Sequence, residues 1–193
     1  MNPMFAEIAV LVSLLSYVFI RWPHGNRAAK LKVSEDRKNR LEVVLLVIAA
    51  VTTTLLPILW LTTSLFAFAE YPLLPIPYGA GVALAVCGLW LFHRSHVDLG
   101  GNWSVTLQVR EEHKLITAGV YRRIRHPMYS AMFILGIAQA LFLPNWLVGP
   151  AYFWGFGLLY LFRVKREEQM MVDQFGEEYE TYRKRSGRLI PRI

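Results

Sequence analysis

The sequence predicts an all-α integral membrane protein with five transmembrane helices. Hydrophobic residues make up 54% of the 193-residue chain and charged residues only 18%, which is more apolar than is usual for a soluble domain. The apolar residues are concentrated in residues 3–20, 41–69, 76–92 and 128–162. Because a bilayer core of ~30 Å is crossed by ~20 helical residues, and irregular backbone finds no hydrogen-bond partners in lipid, these tracts predict membrane-spanning helices.

The first three helices follow the apolar tracts in order. The first covers residues 3–20 and is expected to be a retained anchor, since it has no positively charged start and no small-residue cleavage site. The second covers residues 41–69, long enough to cross with a tilt, and Pro57 predicts a kink inside it. A turn with three prolines, residues 70–77, leads into the third helix over residues 78–92.

The fourth apolar tract is predicted to be a hairpin of two helices. Residues 128–162 contain no Lys, Arg, Asp or Glu and are too many for one untilted span, and Pro144-Asn145 divides them into two helices of about 16 residues. After Arg163, apolar residues recur among charged ones and predict a cytoplasmic helix that is broken near Gly176.

The positive charge of the chain indicates its topology. Of the 21 Lys and Arg residues, seven lie in 21–40, six in 94–125 and eight in 163–192. Cations confined to alternate connections follow the positive-inside rule, which places the N-terminus outside and the basic segments, with the C-terminus, in the cytoplasm. Basic residues there also attract anionic membrane lipids. The net charge of +7 is not accompanied by interleaved aromatic residues, so no nucleic-acid partner is predicted.

The chain is predicted to form one structural domain with two regions, and the candidate catalytic residues lie in the second. Residues 1–92 supply three transmembrane helices, and residues 93–193 form a catalytic region with a polar loop, the two-helix hairpin and the tail helix. Signatures of soluble enzymes, such as GxGxxG, a Walker loop or HExxH, are absent from the sequence. His93 and His96, with Asp98 nearby, have a spacing compatible with a shared metal ion. Polar anchoring at the end of the third helix is favoured over that, and no metal is predicted.

Two polar clusters are the candidate site. The segment 113–129 carries cations, imidazoles and phenols beside a membrane entry point, a composition that is also typical of an interfacial belt. Arg163 is followed by Glu167 and Glu168, and Arg163 and Glu167, one helical turn apart, could simply pair with each other. The hairpin brings both clusters to the same cytoplasmic side, and ions at a membrane boundary tend to be functional.

These motifs resemble the isoprenylcysteine carboxyl methyltransferase family of membrane enzymes. The resemblance rests on HKLITAGVYRRIRHPMY, on Arg163 with Glu167-Glu168 after a two-helix hairpin, and on FGEEYETYRKRSGRLIP. It covers roughly residues 94–193. The N-terminal half resembles the family only in its helix pattern, and the count of five spans looks like that of prokaryotic members.

The resemblance implies a cytoplasmic binding site for S-adenosylmethionine. By their match to the family motifs, the following residues are expected to contact this cofactor: Gln108, His113, Lys114, Leu115, Ile116, Tyr121, His126, Pro127, Met128, Tyr129 and Glu167. Arg163 matches the arginine that the family assigns to substrate, and it is the expected catalytic and substrate-binding residue.

The residue types fit methylation of a carboxylate. The cofactor combines a sulfonium cation, an amino acid and an adenine, so a carboxylate and aromatic walls suit it. An acceptor carboxylate is already ionised at neutral pH and needs no general base. It needs orientation, which the guanidinium of Arg163 would supply. The leading hypothesis is therefore methylation of the carboxylate of a prenylated cysteine or a similar lipid-like acceptor, whose tail enters laterally from the membrane.

Three alternatives remain open at this point. A phospholipid or small-molecule N- or S-methyltransferase of the same architecture would need a base such as His126 or Glu168 for an amine acceptor. A reductase related to the sterol reductases would use a nicotinamide cofactor, although no arginine clamp for a 2′-phosphate is evident. A non-enzymatic lipid-binding protein would use the basic loops alone.

Overall fold

The computed structural model describes residues 1–29, 33–36, 39–103, 106, 108–110 and 114–192. Within these ranges the chain forms seven α-helices, joined by one π-helical segment and short 3-10 turns, and one pair of short strands. The elements are α1 Met4–Ala29, β1 Val33–Asp36, α2 Arg40–Ala50, the π-helical segment Val51–Leu55, α3 Leu56–Thr62, α4 Pro75–Leu99, β2 Gln108–Arg110, α5 Pro127–Phe142, α6 Val148–Phe175 and α7 Glu177–Arg185.

Three helical stretches are long and apolar enough to cross a membrane. They cover Met4–Arg27, Arg40–Thr62 and Pro75–Asn102, and α5 is a shorter apolar helix. They correspond to the first three predicted spans. With its exposed apolar side chains, which are numerous on α1 and α2, the chain is an integral membrane protein.

Several helices extend beyond the ends predicted for them. The first was expected to end at residue 20 and the third at residue 92, but α1 continues to Ala29 and α4 to Leu99. The tail helix is likewise no separate element, since α6 runs without interruption to Phe175. Loss of hydrophobicity marks where a helix leaves the bilayer, whereas its backbone hydrogen bonds continue into water until a residue ends them. For α6 that residue is Gly176, with φ of 53°, as the sequence predicted.

The second span is shorter than predicted and irregular around its proline. Asn39 begins α2 by accepting a hydrogen bond at 2.8 Å from the backbone N–H of Glu42. Pro57 follows the π-helical segment Val51–Leu55, which accommodates the missing N–H and the bulk of the ring. The expected end at residue 69 is wrong, because the helix ends at Thr62.

The predicted hairpin is confirmed, and a buried asparagine forms its turn. Asn145 donates at 2.8 Å to the carbonyl oxygen of Phe66, and its side-chain oxygen accepts from the backbone N–H groups of Leu147 and Val148, each at 3.0 Å. Its side chain therefore binds the backbone at the start of α6 and ties the hairpin to the preceding loop. The hairpin packs on α4, where Gly88 gives the closest approach: an added Cβ would lie 2.9 Å from Leu135 Cγ.

A small antiparallel pair of strands departs from the all-α prediction. β1 pairs with β2, with Val33 opposite Arg110 and Asp36 opposite Gln108. The pairing joins the connection after α1 to the loop after α4. It depends on long-range contact between two short polar segments, which have no alternating hydrophobic pattern to reveal it.

Candidate functional site

A cavity of about 360 Å³ lies where the membrane helices meet the polar loop. Nine of the residues predicted for the site line it: Lys114, Leu115, Ile116, Tyr121, His126, Met128, Tyr129, Arg163 and Glu167. Apolar side chains from the membrane helices complete the wall, among them Leu46, Phe92, Met132, Phe156 and Leu159. The cavity thus has a polar part and an apolar part, and its volume falls within the ~300–1,000 Å³ of small-molecule sites.

Three predicted residues are not among these nine. Pro127 is fully buried as the first residue of α5 and does not line the cavity, so its contribution is to start the helix. Gln108 lies in β2, where its backbone pairs with β1. His113 lies outside the described residues.

Glu167 is the carboxylate at the polar end of the cavity. The hydroxyl of Tyr129 donates to its Oε2, and Arg163 Nε lies 3.5 Å from the same oxygen. The Glu167 side chain is 27% exposed, so part of its surface faces the opening. Arg163 and Glu167, which their spacing allowed to pair, are thus in contact, and Tyr129 joins them from α5.

Arg163 also contacts a carboxylate that the sequence analysis missed. Its Nη1 lies 3.5 Å from Oε1 of Glu42, whose side chain is only 2% exposed at the start of α2. Arg163 therefore connects the first half of the chain to the site. A signal was present, because Glu42 is the single charged residue of the tract 41–69, and an ionisable residue in a membrane helix favours a functional interpretation.

An aromatic wall stands beside this ion cluster. The ring of His126 stacks on that of Tyr129, with centroids 5.3 Å apart and planes inclined by 15°. Phe156 and Tyr160 meet the same tyrosine edge-on at 5.7 and 5.5 Å. Packing fixes the Tyr129 ring, and its hydroxyl thereby holds Glu167 in one orientation.

Glu168, next to Glu167 in sequence, has a different environment. It accepts hydrogen bonds from Arg188 Nη2 at 2.6 Å, from Arg125 Nε at 3.1 Å and from His126 Nε2 at 3.3 Å. Burial by itself would raise the pKa of Glu168, but these three donors outweigh it and hold the pKa well below its usual range. Glu168 thus anchors the C-terminal segment.

The C-terminal segment closes over the polar loop through backbone hydrogen bonds. The N–H groups of Arg125 and His126 donate to the carbonyl oxygens of Gly187 and Arg188 at 2.8 and 3.0 Å. Tyr182 donates at 2.5 Å to the carbonyl oxygen of Tyr121. Burial raises the pKa of Tyr182 to about 12, so it remains a donor at neutral pH.

Asp98 shapes the turn that carries Tyr121. Its Oδ2 accepts at 2.9 Å from the N–H of Val120, and Arg94 contacts its Oδ1 at 2.7 Å. Gly119 has a φ of 58°, and a Cβ there would meet the Asp98 carboxylate. The buried Tyr121 donates to the carbonyl oxygen of Ser95 at 3.3 Å. Burial, followed by Glu167, raises the pKa of Tyr121 well above its ordinary value.

His96 and Asp98, considered above as possible metal ligands, have other partners in the structure. Nδ1 of His96 lies 2.9 Å from the carbonyl oxygen of Phe92, one turn earlier in α4, while Asp98 is directed to the turn described above. Across the ranges that the structure describes, no group of three or more His, Cys, Asp or Glu residues could hold a metal ion.

Comparison with known proteins shows a similarity to one family of membrane enzymes. The model of the isoprenylcysteine carboxyl methyltransferase (ICMT) family matches residues 81–173, which hold most of the cavity residues named above. Over these residues the chain resembles the ICMT family. The matched segment of the ICMT family covers most of α4, the polar loop, α5 and most of α6, so the family resemblance and the cavity coincide.

Individual members of the ICMT family are also similar to this chain. Protein-S-isoprenylcysteine O-methyltransferases from Tribolium castaneum and from Homo sapiens are each 31% identical over 115 residues, 58% of this chain. The chain spans only 41% and 40% of the lengths of those relatives. A solved structure of a eukaryotic intramembrane Ras methyltransferase ICMT superposes with a TM-score of 0.56 at 25% identity, covering 81% of this chain and 55% of that one.

Proposed function

We propose that this protein transfers the methyl group of S-adenosylmethionine to the carboxylate of an isoprenylated cysteine or a similar lipid-like acceptor. The observation that carries the proposal is the cavity in which Glu167, Tyr129 and Arg163 meet beside an apolar wall, within the segment that matches the ICMT family. A polar cofactor and a lipid-linked acid together require a cavity with one polar part and one apolar part.

The residues at the polar end fit the cofactor. S-adenosylmethionine supplies an electrophilic methyl group on a sulfonium centre. Glu167 offers a carboxylate for its positive charge, and the stacked rings of His126 and Tyr129 offer an aromatic surface. The segment from Lys114 to Ile116 forms another part of the wall.

The apolar wall fits the lipid tail of the acceptor. Leu46, Met132 and Leu159 belong to three different membrane helices and line the cavity on its membrane side. In the proposed topology, α5 and the first half of α6 are the fourth and fifth spans, and the polar end of the cavity faces the cytoplasm. The charge distribution supports this, since no Lys or Arg occurs in residues 126–162.

Arg163 is proposed to contribute to binding of the acceptor carboxylate and to hold Glu167 in place. An acceptor carboxylate is a nucleophile without proton removal, so orientation and exclusion of water are the remaining requirements. An amine acceptor would need a base. Glu168, one candidate for it, is surrounded by Arg125, Arg188 and His126, an environment that weakens its basicity and favours the carboxylate acceptor.

The decisive experiment is a transfer assay with purified protein and methyl-labelled S-adenosylmethionine. S-farnesylcysteine and phosphatidylethanolamine are supplied as alternative acceptors. An alkali-labile labelled ester on S-farnesylcysteine is the expected product. Label on the phospholipid amine overturns the proposed acceptor. Binding of a nicotinamide cofactor without binding of S-adenosylmethionine overturns the proposed reaction.

Two variants separate the proposed roles. Glu167→Ala is expected to weaken binding of S-adenosylmethionine itself. Arg163→Ala is expected to lose transfer while it retains cofactor binding. Equal cofactor affinity in the wild type and in Glu167→Ala would remove Glu167 from the proposed cofactor site.

A further inference from the structure

Two carboxylates contact Arg163 at the polar end of the cavity. The proposed reaction, on which the following argument rests, brings two further carboxylates there: that of the acceptor and that of the amino acid part of S-adenosylmethionine. Arg163 is accompanied by Glu42 and Glu167, each 3.5 Å away. Arg163 is therefore shared between two carboxylates of the protein, and a second cation at the cavity would favour the binding of a carboxylate ligand.

Four Lys or Arg side chains line the cavity in the described part of the chain: Arg21, Lys114, Arg125 and Arg163. Arg125 is bound to Glu168 and to the carbonyl oxygen of Ser186. Lys114 is exposed at the surface. Arg21, by contrast, is partly buried on α1 and has no carboxylate partner among the residues that the structure describes.

Two aromatic rings hold the Arg21 guanidinium. Its Cζ lies 5.0 Å from the ring centroid of Trp103 and 5.8 Å from that of Tyr17. A guanidinium that lies over a ring uses its face for the contact and keeps N–H donors at its edge. The rings therefore hold this cation at the cavity wall without neutralising its charge.

The two supporting rings are themselves fixed in the fold. Trp103 is buried, and its Nε1 lies 3.2 Å from Sδ of Met128, which belongs to the proposed cofactor segment. Tyr17 stacks on Phe92 of α4 at a centroid distance of 5.0 Å. One side chain, Trp103, thus connects Arg21 to the wall of the proposed cofactor site.

We propose that Arg21 is a carboxylate-binding residue of this cavity, held by Tyr17 and Trp103 to receive the carboxylate of the acceptor or that of S-adenosylmethionine. The shared chemistry is recognition of a carboxylate by an oriented guanidinium. Arg21 lies on α1, outside the segment that matches the family model, so this proposal gives the N-terminal part of the chain a direct role in binding.

Binding measurements with matched ligands test this proposal without requiring turnover. Isothermal titration of the purified protein compares S-farnesylcysteine with its C-terminal amide, and S-adenosylmethionine with decarboxylated S-adenosylmethionine. Arg21→Gln is expected to weaken one of the two carboxylate ligands by roughly 10- to 100-fold, the range of one lost charge-assisted contact. The matching ligand that lacks the carboxylate is expected to bind as in the wild type. The affected pair identifies the source of the carboxylate.

Two further variants serve as controls. Arg27→Gln removes the same charge from the exposed end of the same helix, outside the cavity lining, and is expected to leave all four affinities unchanged. Arg21→Lys keeps the charge without the planar fork and is expected to give an intermediate loss.

The outcomes that overturn the proposal are distinct from those that overturn the proposed function. Wild-type affinities for both carboxylate ligands in Arg21→Gln overturn it. An equal loss for ligands with and without the carboxylate also overturns it, because the role of Arg21 is then structural. If the wild type prefers S-farnesylcysteine to its amide but transfers no methyl group, the proposed reaction is wrong while the carboxylate site stands.

Discussion

Neutralising Glu168 should destabilise the protein, whereas neutralising its neighbour Glu167 should not. The side chain of Glu168 is 7% exposed and accepts four hydrogen bonds, one each from Arg125 and His126 and two from Arg188. Glu168→Gln keeps the shape but removes the charge, which leaves the guanidinium of Arg125 buried without a counter-ion. Removal of one partner of a buried ion pair costs about 3–5 kcal/mol.

The decrease in melting temperature expected for Glu168→Gln is large enough to be measured by thermal melting. For a chain of this size, each kcal/mol corresponds to roughly 2–4 °C, so Glu168→Gln should melt about 6–20 °C below the wild type. Fluorescence of the six tryptophans reports the transition in detergent micelles. Glu167→Gln is the matched control, because that side chain faces the cavity and is 27% exposed, and its melting temperature should lie within a few degrees of the wild type. Equal melting temperatures for Glu168→Gln and the wild type would refute the assignment of Glu168 as the anchor of the C-terminal segment.

Three further expectations concern the same site. Tyr129→Phe removes the hydrogen bond to Glu167 and should raise the dissociation constant of S-adenosylmethionine roughly tenfold in a titration, and an unchanged constant would contradict the proposed role of that bond. Gly119→Ala introduces a Cβ at a φ of 58° against the Asp98 carboxylate, so the free energy of unfolding should fall by about 1–3 kcal/mol; thermal melting checks this, and a wild-type transition would count against it. Because the pKa of Glu168 is lowered in the folded protein, its contribution to stability is complete above its ordinary value of 4.5 and is lost as the pH falls below it. Melting curves between pH 3 and pH 7 should show this loss in the wild type and a smaller one in Glu168→Gln.

The sequence predicted those features that depend on local composition. Helices were predicted where apolar residues run long enough to cross a bilayer, and the hairpin at Pro144-Asn145 and the break at Gly176 follow from turn chemistry. Helix ends were predicted less well. Polar residues after Ile20 were interpreted as a loop, although α1 continues through them to Ala29.

Contacts between distant segments could not be predicted in this way. Glu42 and Arg163 lie far apart in the chain and meet only because α2 packs on α6. Glu168 was considered as a base from its type and position, but its three basic partners come from the polar loop and the C-terminal segment. Proximity of this kind depends on the packing of whole elements, which no local pattern encodes.

The sequence by itself determined that this is a helical membrane protein, because the bilayer acts on each segment independently of the others. It also determined which residue types would form the site, through their match to a family. Only the tertiary structure decided how those residues are used. Glu167 faces the cavity and Glu168 is buried among cations because successive residues of one helix point in different directions, and the neighbours on each side come from elsewhere in the chain.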